Sequence, residues 1–232
     1  MLRNVLLVSF AAGGLLAGMV ACSSGGSAAG GSTPSSAALL RDARSAFDSA
    51  SSVKISGVVA HNGSQVTANL AMFRSGDISG TVGEGAIQVA LTIVHGKAYE
   101  YVSKKFFSEI SQSQKIPASA CAVMCGKYIE IPIRQFRTFN LASMIRLFDS
   151  RMPTGNAAVK VNAAVKVTTF GGQPAYELTE PDGSRAFIAR QGRHYLLGIR
   201  TGKQAVTFTE WNNVPAVTAP PASKIVNPSS LG

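Results

Sequence analysis

Short runs of alternating apolar and polar residues, broken by Gly, Asn and Asp, fill most of the chain after residue 52. Successive side chains of a β-strand point to opposite faces, so each such run gives a strand with one apolar and one polar face. Two aliphatic strips show the alternation most clearly: Val66, Ala68, Leu70 and Met72, and then Ile87, Val89, Leu91 and Ile93. The pattern predicts an antiparallel sheet that buries one face and leaves the other in water.

Turn residues divide the predicted strands into two groups. The first group is predicted at residues 53–60, 65–74, 77–82, 86–94 and 97–102. The second group is predicted at residues 157–169, 175–179, 185–190, 195–200 and 205–211. Between the groups, residues 104–125 are predicted as a polar loop and residues 128–131 as a further extended run. The sequence thus predicts two antiparallel meanders separated by an inserted segment.

Two segments have the apolar spacing of amphipathic helices. The first is capped by Ser35 or Ser36 and runs through about residue 50. Its apolar side carries Leu39, Leu40, Ala43, Ala46 and Phe47. The second is predicted to begin at Asn140, with Leu141, Met144, Ile145 and Phe148 along one side. Each helix needs an apolar surface to pack against, and the apolar side of the sheet supplies one.

The first 22 residues have the features of a lipoprotein signal peptide. A short basic start precedes a mostly apolar stretch at residues 5–20, and small residues stand before Cys22. Such a stretch is short for a permanent membrane span. We expect a signal peptide at residues 1–21 and a mature chain that begins at Cys22, acylated with chains such as palmitate. A cleaved secretory signal, an uncleaved N-terminal helix and a chance apolar start remain as alternatives.

Length and composition indicate one domain in the mature chain. Residues 22–36 are rich in Gly and Ser and are predicted to form a flexible linker. Residues 37–228 are then predicted to form a single domain, since about 200 residues can enclose one substantial core. The Cys22 anchor places this domain at the cell membrane, on its extracytoplasmic face.

The chain is basic, with 22 Lys and Arg residues against 12 Asp and Glu residues and a formal net charge of +10. Beside a membrane, this excess attracts the protein to anionic head groups. A solvated, solubilising face is the other interpretation of the same charge. Nucleic acid is not expected as a partner, because the basic residues are scattered and form no nucleic-acid-binding motif.

Cys121 and Cys125 are the two cysteines that remain once Cys22 carries lipid. Outside the cytoplasm we expect them to form a disulfide that pins a short loop. A structural zinc needs about four ligands, and the three histidines, His61, His95 and His194, lie far apart in the sequence. No metal or other cofactor is therefore expected.

Several local stretches resemble the LppX/LprAFG lipoprotein family, relatives of the LolA and LolB carriers. They are AFDSASSVKISG at 46–57, GKYIEIP at 126–132, GQPAYEL at 172–178 and FTEWN at 208–212, the last followed by Ala219-Pro220-Pro221. The resemblance extends over nearly the whole mature chain and implies an α+β fold. That fold is a curved, half-open antiparallel β-barrel with short helices packed on its concave face. It also implies a cavity between sheet and helices that receives acyl chains.

Ten apolar residues are candidates for the wall of this cavity: Val66, Leu70, Met72, Ile87, Val89, Leu91, Ile93, Leu141, Ile145 and Phe148. The same residues would also serve as an ordinary filled core. Arg134, Arg137 and Arg146 are candidates for holding an anionic head group. The Cys121 and Cys125 pair has no counterpart among the family patterns we recognise.

The sequence favours binding over catalysis, because it contains no nucleophile elbow, zinc-protease motif or phosphate-binding glycine loop. The first hypothesis is a lipid-anchored protein that takes up the acyl chains of a lipid or glycolipid and carries them through the cell envelope. The second is a regulatory or assembly lipoprotein that binds a protein partner with the same half-barrel. An export or assembly protein is a possible partner in either case, and a spacer with no ligand is a third alternative.

Overall fold

The computed structural model describes residues 33–61, 64–85, 87–136, 140, 141, 143, 163–202 and 204–226. Over these residues it contains twelve strands, which pair almost entirely antiparallel in open arrangements, and three short α-helices. The predicted fold class, a half-open antiparallel sheet with short helices, is confirmed. The described chain falls into a larger unit, with residues 50–143 and 204–226, and a smaller unit, with residues 33–49 and 163–202.

The larger unit holds eight of the described strands. They are β1 (Ser52–His61), β2 (Ser64–Phe73), β3 (Ile78–Glu84), β4 (Ile87–Val94), β5 (Lys97–Val102), β6 (Lys127–Ile131), β11 (Gln204–Thr209) and β12 (Ile225–Val226). Their order is β12-β6-β5-β4-β3-β2-β1-β11, and only the β12 and β6 pair is parallel. The five strands predicted for the first group therefore form, and they pair in sequence order as a meander.

Strand register collects the aliphatic side chains of the larger unit on one side, here called the apolar face. One level of this face carries Ile55, Leu70, Gly80 and Leu91. The next level carries Val53, Met72, Ile78 and Ile93. The opposite side carries polar residues at the intervening positions, such as Lys54, Asn69, Thr81 and Thr92. The predicted division into a buried face and a polar face is thus present.

Gly80 lets β3 lie very close to β2. Its φ angle is 143°, and a Cβ atom at this position would overlap the carbonyl oxygen of Asn69. Any side chain here would push the two strands apart, because the overlapping atom belongs to backbone and cannot turn away. The glycine therefore fixes a close strand contact in the middle of the apolar face, between Leu70 and Leu91.

The prediction of a polar loop at residues 104–125 is wrong. The segment contains α2 (Lys104–Gln114), a 3₁₀ turn at Ala118–Ala120 and the single-turn helix α3 (Cys121–Met124). The Ser103 hydroxyl caps α2 by accepting a hydrogen bond of 3.0 Å from the Phe106 amide. Lys115 ends it in the left-handed conformation, with a φ angle of 56°. Apolar residues at helical spacing, Phe106, Phe107 and Ile110, supply the buried side.

The smaller unit holds α1 (Ser36–Ser49) and the strands β7 (Ala164–Phe170), β8 (Gln173–Thr179), β9 (Arg185–Ala189) and β10 (Leu196–Thr201). The strand order is β10-β9-β8-β7, and all these pairs are antiparallel. The helix is the one predicted, with the Ser35 hydroxyl accepting from the Ala38 amide. Its buried side contains Leu39, Ala43, Ala46 and Phe47. Asp42 on its outer side contacts His194 at 3.0 Å.

An aromatic stack covers part of the smaller unit. The Phe170 and Phe187 rings lie 4.4 Å apart, and the Arg200 guanidinium lies 5.4 Å from both ring centres. Gly198 provides the space, since a Cβ atom there would overlap the Phe170 ring. The stack is a packing feature that joins three strands through one cation and two rings.

Among the described helices, none has the length and apolar character needed to cross a membrane.

Candidate ligand-binding site

The apolar face contains most of the residues predicted to line a cavity. Five of them are at most 4% exposed: Val66, Leu70, Met72, Leu91 and Ile93. Leu141 is also buried, at 1%. Ile145 and Phe148 lie outside the described residues. The strands therefore bring together the aliphatic residues of β2 and β4, as their alternation predicted, on one continuous surface.

The exposure of this surface changes along β4. Ile93 and Leu91 are each 4% exposed, Val89 is half-buried, and Ile87 is 38% exposed. All four point to the same face because they are spaced two residues apart. The apolar strip thus runs without interruption from the interior of the unit to solvent. Ile87 lies at the open end of the strip rather than in its buried part.

A helical segment covers the apolar face near this open end, and we call residues 103–126 the cap. Phe106, Phe107 and Ile110 of α2 form a buried cluster with Val102 of β5. The half-buried residues packed against the cluster include Val89 and Ile129 of the sheet, and Ile116, Cys121, Met124 and Cys125 of the cap. The cap is therefore seated on the apolar face by its own apolar underside.

A disulfide and a backbone hydrogen bond each close a loop of the cap. The predicted disulfide between Cys121 and Cys125 is present, with Cα atoms 4.8 Å apart. At the base, the Gly126 amide donates a hydrogen bond of 2.8 Å to the Val102 carbonyl. The chain thus leaves β5 and returns to β6 at the same point of the sheet, because Val102 and Lys127 are also register partners.

Glu100 is a carboxyl group on the apolar face. Register places it between Leu91 of β4 and Ile129 of β6. Burial raises the pKa of Glu100 from 4.5 to about 7, because the charged form loses its hydration there. Lys127 is the diagonal neighbour on β6, and its ammonium donates instead to the Ser223 carbonyl at 3.0 Å. Within the described residues, no hydrogen bond or ion pair holds the Glu100 carboxyl group.

The other end of the apolar face opens into a small pocket of about 190 Å³. Ile93 and Phe136 form its apolar wall, and Asp77 and Asn140 contribute polar atoms. The Asn140 side chain accepts a hydrogen bond of 2.8 Å from the Ser143 amide, as expected for a helix cap. This pocket alone is smaller than the roughly 300–1,000 Å³ that small-molecule sites usually need.

Of the three predicted head-group residues, Arg134 alone lies among the described residues. Arg134 is exposed in a short 3₁₀ helix, Ile133–Phe136. Arg137 and Arg146 lie outside the described residues, as does the predicted anchor, Cys22. Among the described residues, no group of three or more His, Cys, Asp and Glu side chains could hold a metal ion.

Two parts of the site were not foreseen from the sequence. The first is α2, for which the signal was available: Ser103 at a capping position, followed by Phe106, Phe107 and Ile110 at helical spacing. The second is Glu100. The strand KAYEYV gives no clear sign of which face is buried, since tyrosines occupy one face and Ala98, Glu100 and Val102 the other. Only pairing with Leu91 shows that the glutamate faces the apolar side.

Comparisons with known proteins return matches among solved structures. No protein-family model and no curated protein sequence matches the chain. Among solved structures, the crystal structure of LprF from Mycobacterium bovis is similar over 79% of this chain and 96% of LprF, with 12% identity and a TM-score of 0.49. LprF is a member of the family that the sequence resembles.

A second solved structure is the MucA/MucB complex of Pseudomonas aeruginosa. The match covers 81% of this chain and 59% of the matched chain of the complex, with 14% identity and a TM-score of 0.29. Both matches have a low sequence identity and a TM-score below 0.5. The function of this chain is therefore argued from its own residues.

Proposed function

We propose that this protein is a lipid-anchored binding protein that takes up the acyl chains of a lipid or glycolipid on the apolar face, beneath the cap. The observation that supports this proposal most directly is the apolar strip on β4, which is continuous from buried Ile93 to exposed Ile87. An acyl chain entering beside Ile87 would stay in contact with apolar side chains along its whole path. No catalytic step is part of the proposal.

Partitioning is the mechanism. Each buried methylene contributes about 0.8 kcal/mol relative to water, but a chain in a bilayer is already shielded from water. Uptake from a membrane is therefore close to balanced, and so is release. A carrier needs such a balance, because a lipid bound much more tightly than the bilayer holds it would not be passed on.

The anchor completes the proposal. Cys22, acylated at the membrane, and the linker at residues 22–36 would keep the binding domain beside the extracytoplasmic surface. Loss of labelled palmitate in Cys22→Ala, with the label kept in the wild type, is the expected result for this part. Retained label in the variant would reject Cys22 as the acylated residue.

Native mass spectrometry of the protein purified from its own membranes, alongside a Cys22→Ala form that lacks the anchor, tests the binding site. We expect non-covalent lipid at about one copy per chain, identified after organic extraction. A clean protein mass that persists after incubation with host lipid extract would reject acyl-chain binding. The hypothesis of a protein-binding regulatory or assembly lipoprotein would then take its place.

A pair of neighbouring substitutions tests the face itself. Ala68 lies on the apolar face and is half-buried, whereas Thr67 lies on the opposite face and is exposed. In Ala68→Phe the larger ring occupies space on the apolar face, so we expect lipid occupancy to fall several-fold. Thr67→Phe adds the same bulk on the polar face and should leave occupancy unchanged. Equal occupancy in both variants, with both folded by circular dichroism, contradicts the proposed face.

A further inference from the structure

Two of the three large apolar side chains that are clearly exposed in the described chain lie in or beside the cap. Ile87 is 38% exposed at the start of β4, and Val123 is 50% exposed on α3. The third, Val167, belongs to the smaller unit. Exposed apolar side chains that occur together, rather than singly, indicate a contact surface.

Two lysines begin α2, the helix that packs beside the same end of β4. Val89, two residues from Ile87 and on the same face of the strand, packs against the cluster that contains Phe106 and Phe107, and Lys104 is the first residue of that helix. Lys105 follows, and both lysines are exposed. Val123 lies three residues before Gly126, whose amide is bonded to Val102 at the base of the cap. We call Ile87, Lys104, Lys105 and Val123 the docking patch.

The two lysines occupy positions that α2 itself does not favour. They fall in the first turn of the helix, where the aligned peptide dipoles create partial positive charge and favour acidic residues. No ion pair or hydrogen bond joins either ammonium group to another described residue. Stabilisation of the helix therefore does not account for them, and such departures from local preference are typical of functional positions.

We propose that the docking patch binds the surface of an anionic bilayer. Lysines attract anionic head groups, and exposed apolar side chains beside them enter the boundary between head groups and acyl chains. The acids near the patch are Glu84, the register partner of Ile87, and Glu109, one turn along α2. The cap carries three lysines against one glutamate, so its charge remains complementary to an anionic surface.

This inference goes beyond the proposed function, because surface docking requires no ligand on the apolar face. The two fit together, since Ile87 is at once the open end of the apolar strip and a member of the patch. Docking at this place would present the open end of the strip to the bilayer, so that a chain moves between them without crossing water.

Vesicle flotation of the mature chain, residues 22–232, carrying Cys22→Ala tests the inference without the covalent anchor and without the apolar signal peptide. The probes are vesicles of phosphatidylcholine alone and of phosphatidylcholine with phosphatidylglycerol. We expect binding to the anionic vesicles that weakens with added salt. Replacing both lysines, Lys104→Gln with Lys105→Gln, should reduce this binding about 30-fold. Val123→Ser should reduce it further while leaving the salt dependence unchanged.

The matched control removes the same charge elsewhere. Lys166→Gln with Arg190→Gln changes two exposed cations of the smaller unit and should bind like the parent chain. An equal loss in the control pair would show that only net charge matters and would overturn the patch. Unchanged binding in the Lys104 and Lys105 variant would overturn it as well. Lipid content measured on the same samples is independent, so a variant that loses docking but keeps bound lipid separates this inference from the proposed function.

Discussion

At the scale of single residues, Glu100 combines an ionisable group with an apolar setting. Burial between Leu91 and Ile129 favours the neutral acid, which raises the pKa of Glu100 to about 7. A pKa that is higher in the folded than in the unfolded chain means that folding is favoured at low pH. This contribution is complete below pH 4.5 and is lost as the pH rises through about 7.

Replacement of this residue should therefore change how stability depends on pH. We expect Glu100→Gln to be more stable than the wild type at pH 8, by at most on the order of 3 kcal/mol. The two proteins should differ least near pH 4, where the glutamate is neutral in both states. Urea unfolding at a series of pH values measures the difference. Glu109→Gln, which changes an exposed residue of α2, is the control, and its stability should depend on pH as in the wild type. A difference in stability between Glu100→Gln and the wild type that is the same at every pH would contradict the burial of Glu100.

Gly80 makes the second residue-scale prediction. Because a Cβ atom would overlap the Asn69 carbonyl, Gly80→Ala must separate β2 from β3 or distort the backbone. We expect a loss of about 1–3 kcal/mol in the free energy of unfolding, typical of strain at a special backbone position. Ser79→Ala, on the opposite face of the same strand, should change it by about 0.5 kcal/mol or less. Equal losses of stability in the two variants would show that β2 and β3 leave room for a Cβ atom at position 80.

At the scale of elements, strands were predictable and the cap was not. Alternation in β2 and β4 is a local signal, and in these strands it agrees with the face that becomes buried. In β5 the local pattern is ambiguous, because Tyr99 and Tyr101 are apolar enough to compete with Ala98 and Val102 for the buried face. The choice is made by pairing with β4, which lies outside the strand's own sequence.

The same reasoning explains the missed helix. Three of the eleven residues of α2 are Ser, and Lys104 and Lys105 stand where a helix usually favours acids. These features lower the local preference for a helix. Packing of Phe106, Phe107 and Ile110 against Val102 compensates, and that contact is tertiary.

The disulfide should stabilise the cap more than the sheet. Replacing both Cys121 and Cys125 with Ser releases only a short loop, so we expect a loss of about 2–3 kcal/mol. Hydrogen exchange should become faster in residues 116–126, while β2 and β3 keep their protection. Uniformly faster exchange across the sheet would contradict this separation. Val123→Ala, within the same loop but exposed, is the control and should leave exchange unchanged.

At the scale of the larger unit, Asn212 joins the start of β1 to the end of β11. Its side-chain oxygen accepts hydrogen bonds from the Ser51 amide, at 2.6 Å, and the Ser51 hydroxyl, at 3.0 Å. The backbone N–H of Asn212 donates to the Ser52 carbonyl at 2.9 Å, and the φ angle of Asn212 is 59°. One residue thus closes a contact across 161 positions in the sequence.

Two substitutions separate the contributions of Asn212. Asn212→Gly keeps the left-handed backbone conformation and removes the side-chain acceptor, with an expected loss of about 1–2 kcal/mol in the free energy of unfolding. Asn212→Ala also strains the backbone and should be less stable than the glycine variant, by about 1 kcal/mol. Thermal unfolding of both variants measures the order. A glycine variant as stable as the wild type would show that the hydrogen bonds contribute nothing.

The bond between Gly126 and Val102 has a consequence for how proteins of this design can change over time. Because the cap begins and ends at one point of the sheet, its length and sequence can be altered without moving any strand. The sheet imposes its requirements through paired positions, whereas the cap needs only an apolar underside and a closed base. Selection can therefore act on the cap as a separate unit, changing its exposed side chains while the same scaffold is inherited unchanged.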